Sequence, residues 1–140
     1  RRMSGGALLV LDYGFPQREY YHPQRLMGTV MCHFRHHAHS DPLWMVGLND
    51  VTAHVDFSAM AAAAHYAGLN VLGYTSQAHF LLNCGVLDQL QAQHTPHNSG
   101  ALHRLVSEAE MGELVKVLMV GRGVKGTLIG FARGDRLHSL

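Results

Sequence analysis

Cysteine, charge and long apolar runs are all scarce in this 140-residue sequence, and each shortage excludes a class of protein. Cys32 and Cys84 are the only cysteines and form no C-x-x-C pair, so we expect free thiols in a reducing compartment. Charged residues make up 15% of the chain, with a net charge of +1 and no basic run, which argues against a nucleic-acid partner. We find no apolar run that could cross a membrane and no secretory signal at the start, so we expect a cytoplasmic protein.

The composition that is present suits one domain over residues 1–140, because 47% hydrophobic residues can build a core of ordinary size. Its first element is an apolar run from Ala7 to Leu11, ended by Asp12 and Gly14. Such a run predicts a buried strand of an α/β sheet, covered on both faces. Nothing ahead of it in this sequence supplies a neighbouring strand, so we expect a free edge that can drive self-association.

The segment from Phe15 to Asn49 has no regular pattern, contains three prolines, and predicts a long loop of a binding or lid type. Its most unusual feature is a cluster of four histidines, at His33, His36, His37 and His39. Neutral imidazoles close in sequence can converge on zinc, but this spacing matches no known zinc motif. A polar, partly solvated loop is therefore the favoured interpretation, and a metal site is the alternative.

The stretch GLNDVTAHVDF, Gly47 to Phe57, carries a polar residue at every second position before an alanine-rich helix that ends at Gly68. Asp56 immediately precedes that helix and is predicted to be its N-cap, with Val55 and Met60 as a hydrophobic staple. The earlier polar residues alternate with apolar ones, so in a strand they would share one face while the apolar residues point inward. That face is either simply solvated or functional, and its polar residues are Asp50, Thr52 and His54.

The second half of the sequence predicts alternating strands and helices. The predicted elements are a strand in LNVLGYTSQ, a helix QAHFLLNC capped by Ser76, a further turn or two in VLDQLQAQ, a loop at HTPHNSG, a helix from a Ser107/Glu110 capping box through Leu118 to Gly121, and a last strand from Thr127 to Ala132. With the first strand, this order contains one β-α-β unit and gives a three-stranded α/β sheet.

Seven segments of this sequence together resemble the MidA-like proteins. They are GGALLVLDYG, EYYHPQR, GTVMCHFRHHAHSDP, GLNDVTAHVDF, GYTSQAHFLLNCG, MGELVKVL and GFARGDRLHSL, and they cover nearly the whole chain. That family belongs to the class I S-adenosylmethionine-dependent methyltransferases and includes the mitochondrial complex I assembly methyltransferase. The resemblance is to the C-terminal part of such an enzyme.

The resemblance implies a Rossmann-like α/β fold in which GGALLVLDYG is the fifth strand, NVLGYTS the sixth and TLIGFARG the seventh. The seventh strand inserts antiparallel between the other two, and residues 15–55 form an insertion on the substrate side. S-adenosylmethionine is the implied cofactor of the full-length parent. The glycine-rich loop that holds it in such folds is not recognisable here, because GRGVKG precedes a predicted strand rather than a helix. We therefore predict no cofactor-binding residue, and expect that this chain alone does not bind the cofactor.

Ligands of open α/β sheets sit beyond the carboxyl ends of the strands, which places the predicted site near the end of the first strand. Methyl transfer to nitrogen needs an aligned acceptor and a group that takes its proton, and the family suggests an arginine side chain of a protein as acceptor. The predicted catalytic residues are Asp12, Asp50 and His54, and the predicted substrate-binding residues are Tyr13, Arg35 and Thr52. Two alternatives stay open: an inactive fragment that serves as a protein-binding or assembly module, and a histidine-cluster metal protein.

Overall fold

The computed structural model describes residues 4–92 and 95–140, and its largest element is a four-stranded mixed sheet. The strands are β1 (Gly6–Phe15), β5 (Val55–Asp56), β6 (Asn70–Ser76) and β7 (Val115–Arg122), in the spatial order β5-β1-β7-β6. Strand β7 runs antiparallel to both β1 and β6, whereas β5 pairs parallel with the last two residues of β1. This sheet is α/β in type, but it has four strands where the sequence predicted three.

Two of the three strands of a second, smaller sheet lie in the segment that was predicted to be a long loop, and the third lies in the stretch whose alternation predicted a strand. It consists of β2 (Val30–Phe34), β3 (His37–His39) and β4 (Asp50–Ala53) in the order β3-β2-β4, all antiparallel. Arg35 and His36 join β2 to β3 with φ angles of 47° and 69°, which is the left-handed conformation of a tight two-residue hairpin turn. The prediction of an irregular segment was wrong because this turn has neither the glycine nor the asparagine that usually marks one.

Six helices accompany the two sheets in the described residues. They are α1 (Gln17–Tyr20), α2 (Phe57–Tyr66), α3 (Gln77–Asn83), α4 (Val86–Ala92), α5 (Pro96–Val106) and α6 (Met111–Leu114), with 3₁₀ turns at Ile129–Phe131 and Leu137–Ser139. Asp56 caps α2, since its Oδ1 accepts a hydrogen bond from the Ala59 N–H at 3.0 Å, and Ser76 caps α3 by accepting from the His79 N–H. Both capping predictions are confirmed. No helix in the described ranges is long and apolar enough to cross a membrane.

The core lies where α2 packs onto the larger sheet. Phe57, Tyr74, Leu118 and Val120 form its buried cluster, with the Phe57 and Tyr74 ring centroids 5.4 Å apart. The two staple residues predicted on either side of the Asp56 cap both pack against this cluster. The cap and the core therefore fix the start of α2 together, which in turn fixes the short strand β5 that precedes it.

Strand β1 is more exposed than predicted. Leu8 and Leu11 keep 54% and 48% of their surface, so the prediction of a strand covered on both faces is wrong for this chain. Its hydrogen bonds go to β7 along Gly6–Tyr13, and β5 reaches the opposite edge only at Gly14 and Phe15. Within the described residues, the second edge of β1 is unpaired from Gly6 to Tyr13.

The predicted helix from Ser107 to Leu118 is wrong. Only Met111–Leu114 forms a helical turn, and Val115 onward is the strand between β1 and β6. The run VKVLMV is apolar at nearly every position, so its periodicity does not separate a buried helix from a buried strand. This run forms a strand because it can pair with β1 along one edge and with β6 along the other. Both partners lie far away in sequence.

The predicted strand Thr127–Ala132 is also wrong, because it contains the 3₁₀ turn at Ile129–Phe131 instead. Two backbone carbonyls in and just after this segment accept hydrogen bonds from helix α3. The Asn83 Nδ2 amide donates to the carbonyls of Gly130 and Arg133, at 3.0 and 2.8 Å. The position of the family's seventh strand, antiparallel between the fifth and sixth, is nevertheless occupied, by β7. The resemblance thus implied the right topology and assigned it to the wrong residues.

The predicted loop HTPHNSG is a helix from Pro96 onward. The Thr95 Oγ1 accepts from the Asn98 N–H at 3.1 Å, and a proline follows at the first helical position. A capping threonine followed by proline is a helix-start signal, so the sequence did contain the information. His94 of this motif, Gln93 of the preceding predicted helix, and Arg1 to Met3 lie outside the described residues.

Candidate active site

The candidate site lies where the carboxyl ends of two strands meet. Strands β1 and β6 are both antiparallel to β7 and hence parallel to each other, so their carboxyl ends share an edge with the start of β7. A cavity of about 560 Å³ opens at this edge, between the larger sheet and the smaller one. Its lining residues are Tyr13, Met31, His33, Thr52, Ala53, His54 and Leu114.

A hollow of about 680 Å³ also occurs along α1 and the loop after it, but all its lining residues belong to the single segment from Glu19 to Gly28. No second element of the fold converges on it. The cavity between the sheets instead combines side chains from β1, β2, β4 and the residue before β7. Convergence of several elements at strand ends is typical of ligand sites in α/β folds, so we take the smaller cavity as the candidate site.

One face of the smaller sheet forms a wall of this cavity. Thr52 lies opposite Met31 in the β2–β4 register, and Asp50 lies opposite His33, so these four residues share a face. Three of them line the cavity, whereas Asp50 does not. The alternation in GLNDVTAH therefore did place Asp50 and Thr52 on one face, and that face meets the cavity.

Two of the three apolar residues of the same stretch do not point into a core as predicted, whereas the third, Val55, packs against the core cluster. Val51 keeps 55% of its surface, and Ala53 is exposed and lines the cavity. The smaller sheet has only three short strands, so it buries little on its outer side. Cys32, opposite Val51 in the register, is nonetheless fully buried.

His54 is held in the cavity wall by several contacts. Its backbone N–H donates to the Thr29 carbonyl at 3.2 Å, and its ring Nδ1 lies 3.1 Å from the same oxygen. A carbonyl only accepts, so Nδ1 carries the proton in this contact and Nε2 is left with a lone pair in the neutral ring. The Phe15 ring packs against the imidazole, with centroids 5.0 Å apart. His54 can therefore accept a proton in the cavity from a fixed position.

The other predicted site residues are spread along the rim. Tyr13 lines the cavity and is 42% exposed. Asp12 lies beside it but does not line the cavity, and its Oδ1 accepts from the Tyr13 N–H at 2.7 Å. Arg35 is at the tip of the β2–β3 hairpin, with its guanidinium 5.5 Å from the Phe34 ring centroid. The structure thus brings Tyr13, Thr52 and His54 together and leaves Asp12, Asp50 and Arg35 outside the cavity lining.

An ion-pair network behind the cavity was not predicted from the sequence. Glu113 binds Arg136 through both oxygens, at 2.6 and 3.1 Å, and accepts from the Lys116 Nζ at 3.1 Å. Lys116 is 4% exposed and also donates to the Glu113 backbone carbonyl. Partial burial favours a higher pKa for Glu113, but the hydrogen bonds from the two cations outweigh it and hold that pKa below its ordinary value. The carboxylate also raises the pKa of Arg136.

Tyr74 lies close to this network. Burial raises the pKa of its hydroxyl, and the negative charge of Glu19 acts in the same direction. The hydroxyl has no hydrogen-bond partner among the described residues, and Tyr74 is fully buried. We therefore regard Tyr74 as a neutral core residue and give it no role in proton transfer.

The histidine cluster does not form a metal centre in the described part of the chain. No three side chains of the His, Cys, Asp or Glu types are arranged there to hold an ion. His33 faces the cavity, whereas the His39 ring packs at 4.9 Å against Trp44. Successive residues along a strand point to opposite faces of the sheet, so His39, which pairs with Cys32, lies on the face opposite to that of His33.

The fold and the cavity at the carboxyl ends of the strands are those of an α/β protein, and the comparisons with known proteins identify it as one of the methyltransferase type. Residues 1–75 match the family described as "Putative S-adenosyl-L-methionine-dependent methyltransferase". The chain belongs to this family. No curated protein matches it.

Two crystal structures from Burkholderia thailandensis are similar to this chain, and both belong to one superfamily. The first, of a protein described as uncharacterized, is 55% identical with a TM-score of 0.92, covering 98% of this chain and 38% of its own. The second, of a "likely methyl transferase" bound to S-adenosyl-homocysteine, is 55% identical with a TM-score of 0.90, covering 96% of this chain and 36% of its own. This chain thus spans well under two thirds of either neighbour. The family's cofactor is S-adenosylmethionine, as the sequence predicted for the parent enzyme.

Gly14, the glycine at the end of β1, is used for packing, since an added Cβ would lie 2.3 Å from the Val55 carbonyl oxygen. The chain after it forms the four-residue helix α1 and then enters the smaller sheet. The lining of the cavity combines the polar side chains of His54, Thr52 and Tyr13 with apolar residues.

Proposed function

We propose that this chain supplies the methyl-acceptor side of an S-adenosylmethionine-dependent methyltransferase. The observation that carries the proposal is the position of His54 in a cavity at the carboxyl edge of the sheet, in a chain of this family. The bound cofactor supplies an electrophilic methyl group. The residues described here act on the acceptor: they orient it, exclude water around it, and take its proton.

The proton step is assigned to His54. A nitrogen acceptor loses one proton as its new N–C bond forms, and the Nε2 lone pair of His54 can accept that proton because Nδ1 is already bonded to the Thr29 carbonyl. Met31, Ala53 and Leu114 give the cavity apolar walls, which exclude water from the acceptor nitrogen. The Thr52 hydroxyl is placed to hydrogen-bond the acceptor group.

We extend the proposal to a protein substrate whose arginine side chain is the acceptor, as in the MidA-like proteins that the sequence resembles. Tyr13 offers an aromatic face to a planar cation at the cavity rim. Asp12 and Asp50 offer carboxylates near the rim, and a carboxylate binds a guanidinium through two parallel hydrogen bonds. Arg35, at the hairpin tip, would then contact the substrate polypeptide away from the acceptor. A cytoplasmic location and the absence of a nucleic-acid partner remain predictions from composition.

The test is methyl transfer by the full-length protein, measured with methyl-labelled S-adenosylmethionine and arginine-containing polypeptides. His54→Asn should lower kcat by on the order of 100-fold or more while cofactor affinity is kept, because it removes a general base. His65→Asn is the matched control, since His65 is exposed near the end of α2, away from the cavity. Unchanged turnover in His54→Asn would refute the assigned base, and labelling of lysine or carboxyl groups alone would refute the arginine acceptor.

We also propose that the 140-residue chain alone is inactive and resembles the C-terminal part of the MidA-like enzymes. The reason is the sequence pattern, in which GRGVKG is the nearest match to a glycine-rich cofactor loop and does not open a helix. Isothermal titration of the isolated chain with S-adenosylmethionine should give no measurable heat of binding, while the full-length protein binds. Micromolar binding by the isolated chain would contradict this proposal without touching the assignment of His54.

A protein-binding or assembly role is the second candidate function, and the unpaired edge of β1 favours it. Leu8, Leu9 and Leu11 are all exposed beside that edge, at 54%, 40% and 48%. An apolar edge of this kind can pair with the same strand of a second copy. Sedimentation of the isolated chain should show a dimer, and Leu9→Lys should reduce it, since a charge on the edge strand disfavours pairing. A monomer at high concentration would exclude self-association through this edge.

A further inference from the structure

We propose that Phe15, Tyr20 and Thr29 are positioning residues that hold the His54 ring in one tautomer, with its Nε2 lone pair available to the cavity. This inference rests on the proposed function, because it concerns the proton acceptor of the same site. It adds that residues from the end of β1 to the start of β2, outside the cavity lining, determine how well His54 accepts a proton. Three independent contacts carry it.

The first contact fixes the proton on the ring. The Thr29 carbonyl oxygen receives both the backbone N–H of His54, at 3.2 Å, and its ring Nδ1, at 3.1 Å. The backbone bond places His54 next to this oxygen whatever the ring does, so the ring contact does not depend on a flexible loop. Free neutral histidine favours the proton on Nε2, whereas this arrangement favours it on Nδ1. The protein thus selects the tautomer that leaves Nε2 unprotonated.

The second contact fixes the plane of the ring. Phe15 packs on the His54 imidazole with centroids 5.0 Å apart and planes inclined by 36°. Phe15 is itself held, because the Arg25 guanidinium lies 4.2 Å from its ring centroid and the backbone of Phe15 pairs with Asp56 of β5. Rotation of the imidazole about its side-chain bonds would therefore require the Phe15 ring to move as well.

The third contact anchors the accepting carbonyl. The Tyr20 hydroxyl and the Thr29 Oγ1 are 3.1 Å apart, which ties the chain at Thr29 to α1. Helix α1 is joined to α2 in turn, since the Gln17 N–H donates to the Ser58 Oγ at 2.9 Å. The acceptor of the Nδ1 proton is thus linked by hydrogen bonds to the same helix start that Asp56 caps. Supporting hydrogen bonds of this kind keep a catalytic side chain within a fraction of an ångström of its working position.

The experiment compares Phe15→Leu, Tyr20→Phe and the control Tyr21→Phe in the full-length protein. Both test variants keep most of the side-chain volume, and Tyr21 is the exposed neighbour that carries the same deletion of a hydroxyl. The tautomer is read from ¹⁵N chemical shifts of histidine-labelled protein, with the His54 signal assigned by its loss in His54→Asn. Turnover is measured as kcat and KM over a range of pH.

We expect a single Nδ1–H tautomer in the unmodified protein and in Tyr21→Phe. Phe15→Leu should mix the tautomers and lower kcat by about tenfold to 100-fold with little change in KM, because misplacing a reacting group by about 1 Å can cost about 100-fold. Tyr20→Phe should act in the same direction with a smaller loss. Phe15→Leu and Tyr20→Phe should also displace or flatten the acidic limb of the kcat pH profile, where a histidine base becomes protonated, which a purely structural role would not do.

The two proposals fail in different ways. A His54 ring that already has its neutral proton on Nε2, or a tautomer and kcat unchanged in both Phe15→Leu and Tyr20→Phe, would overturn the positioning role. Full turnover in His54→Asn would instead overturn the catalytic role of His54, whatever the ring spectrum shows. The spectrum therefore decides the first question and the His54 variant decides the second.

Discussion

The two sheets of this molecule differ sharply in how much they bury. In the larger sheet, β7 is buried along most of its length, from Val115 through Leu118, and again at Val120 and Gly121. In the smaller sheet, Cys32 of β2 is the one buried residue, and β4 is exposed at every position. The larger sheet therefore provides the stability of the fold, while the smaller one provides surface.

The difference explains where the candidate site lies. A site needs polar side chains that are accessible and yet held in place. The boundary between the two sheets provides both, because the larger sheet is well packed and the smaller sheet is exposed. Tyr13 and Leu114 come from the larger sheet and its boundary, whereas Met31, His33 and Thr52 come from the smaller sheet. Substitutions in the larger sheet should therefore act on stability, and those in the smaller sheet on activity. The predictions below test this separation.

The largest effect is expected for Leu118→Ala in the larger sheet. Leu118 is 1% exposed and belongs to the central core cluster, so the substitution leaves a cavity and should lower the free energy of unfolding by about 2 to 5 kcal/mol. The control is Leu48→Ala, because Leu48 precedes β4 and is 68% exposed. Urea denaturation of the full-length protein measures both. Equal losses in the two variants would break the proposed contrast between the sheets.

The parts of the fold that the sequence predicted are those fixed by local contacts. Asp56 and Ser76 were identified as caps because a cap and its helix are neighbours in sequence. Strand β7 was missed because its partners are β1 and β6, about 100 and about 45 residues away, and only that pairing decides against a helix. The Thr95–Pro96 helix start was present in the sequence and was outweighed by the polar composition around it.

The candidate site was predicted to the same extent and for the same reason. Alternation within one strand placed Thr52 on the cavity face, and the strand-end rule placed Tyr13 near it. Met31 and His33 join them only through the β2–β4 register, which the sequence does not encode in any short motif. The partners Glu113 and Arg136 are 23 residues apart and meet only in the folded chain.

The next largest effect is expected at Glu113, in the network beside the start of β7. Glu113→Gln should lower the free energy of unfolding by about 1 to 2 kcal/mol, because it leaves the buried ammonium of Lys116 with only a carbonyl and an amide. The expected loss of stability is small because the Glu113 side chain is 38% exposed, so water screens its ion pair with Lys116. Chemical denaturation measures it. Adding Lys116→Met should recover part of the loss, since it removes the buried charge itself.

The same network gives a pH dependence with a defined sign. The folded-state pKa of Glu113 is lower than its ordinary value of 4.5, so its contribution is complete above that value and is lost as the pH falls below it. The unmodified protein should therefore lose more stability than Glu113→Gln between about pH 5 and pH 3. Parallel curves for the two proteins over this range would show that the network does not stabilise the larger sheet.

A smaller loss is expected for Asp56→Ala, at the joint between the two regions. Removing the hydrogen bond from the Ala59 N–H to the Asp56 carboxylate should lower the free energy of unfolding by about 1 kcal/mol. Activity per folded molecule should stay the same, because the side chain of Asp56 serves α2 and does not line the cavity. Asp56→Ser is the matched control, since serine also caps helices and should restore most of the stability.

The smallest effect on stability, and a clear effect on activity, is expected for Asp50→Asn in the smaller sheet. Asp50 is exposed and faces His33 across the β2–β4 pair, on the face that meets the cavity, so the free energy of unfolding should change by no more than about 0.5 kcal/mol. If Asp50 binds a cationic acceptor at the rim, losing its charge should raise KM or lower kcat by about tenfold, because a charge-assisted hydrogen bond contributes about 1.5 to 3 kcal/mol. Melting temperature and turnover measured on the same preparations separate the two carboxylates. An Asp50→Asn protein that melts early and turns over normally per folded molecule would make Asp50 structural, and the smaller sheet would then share the stabilising role that the comparison assigns to the larger one.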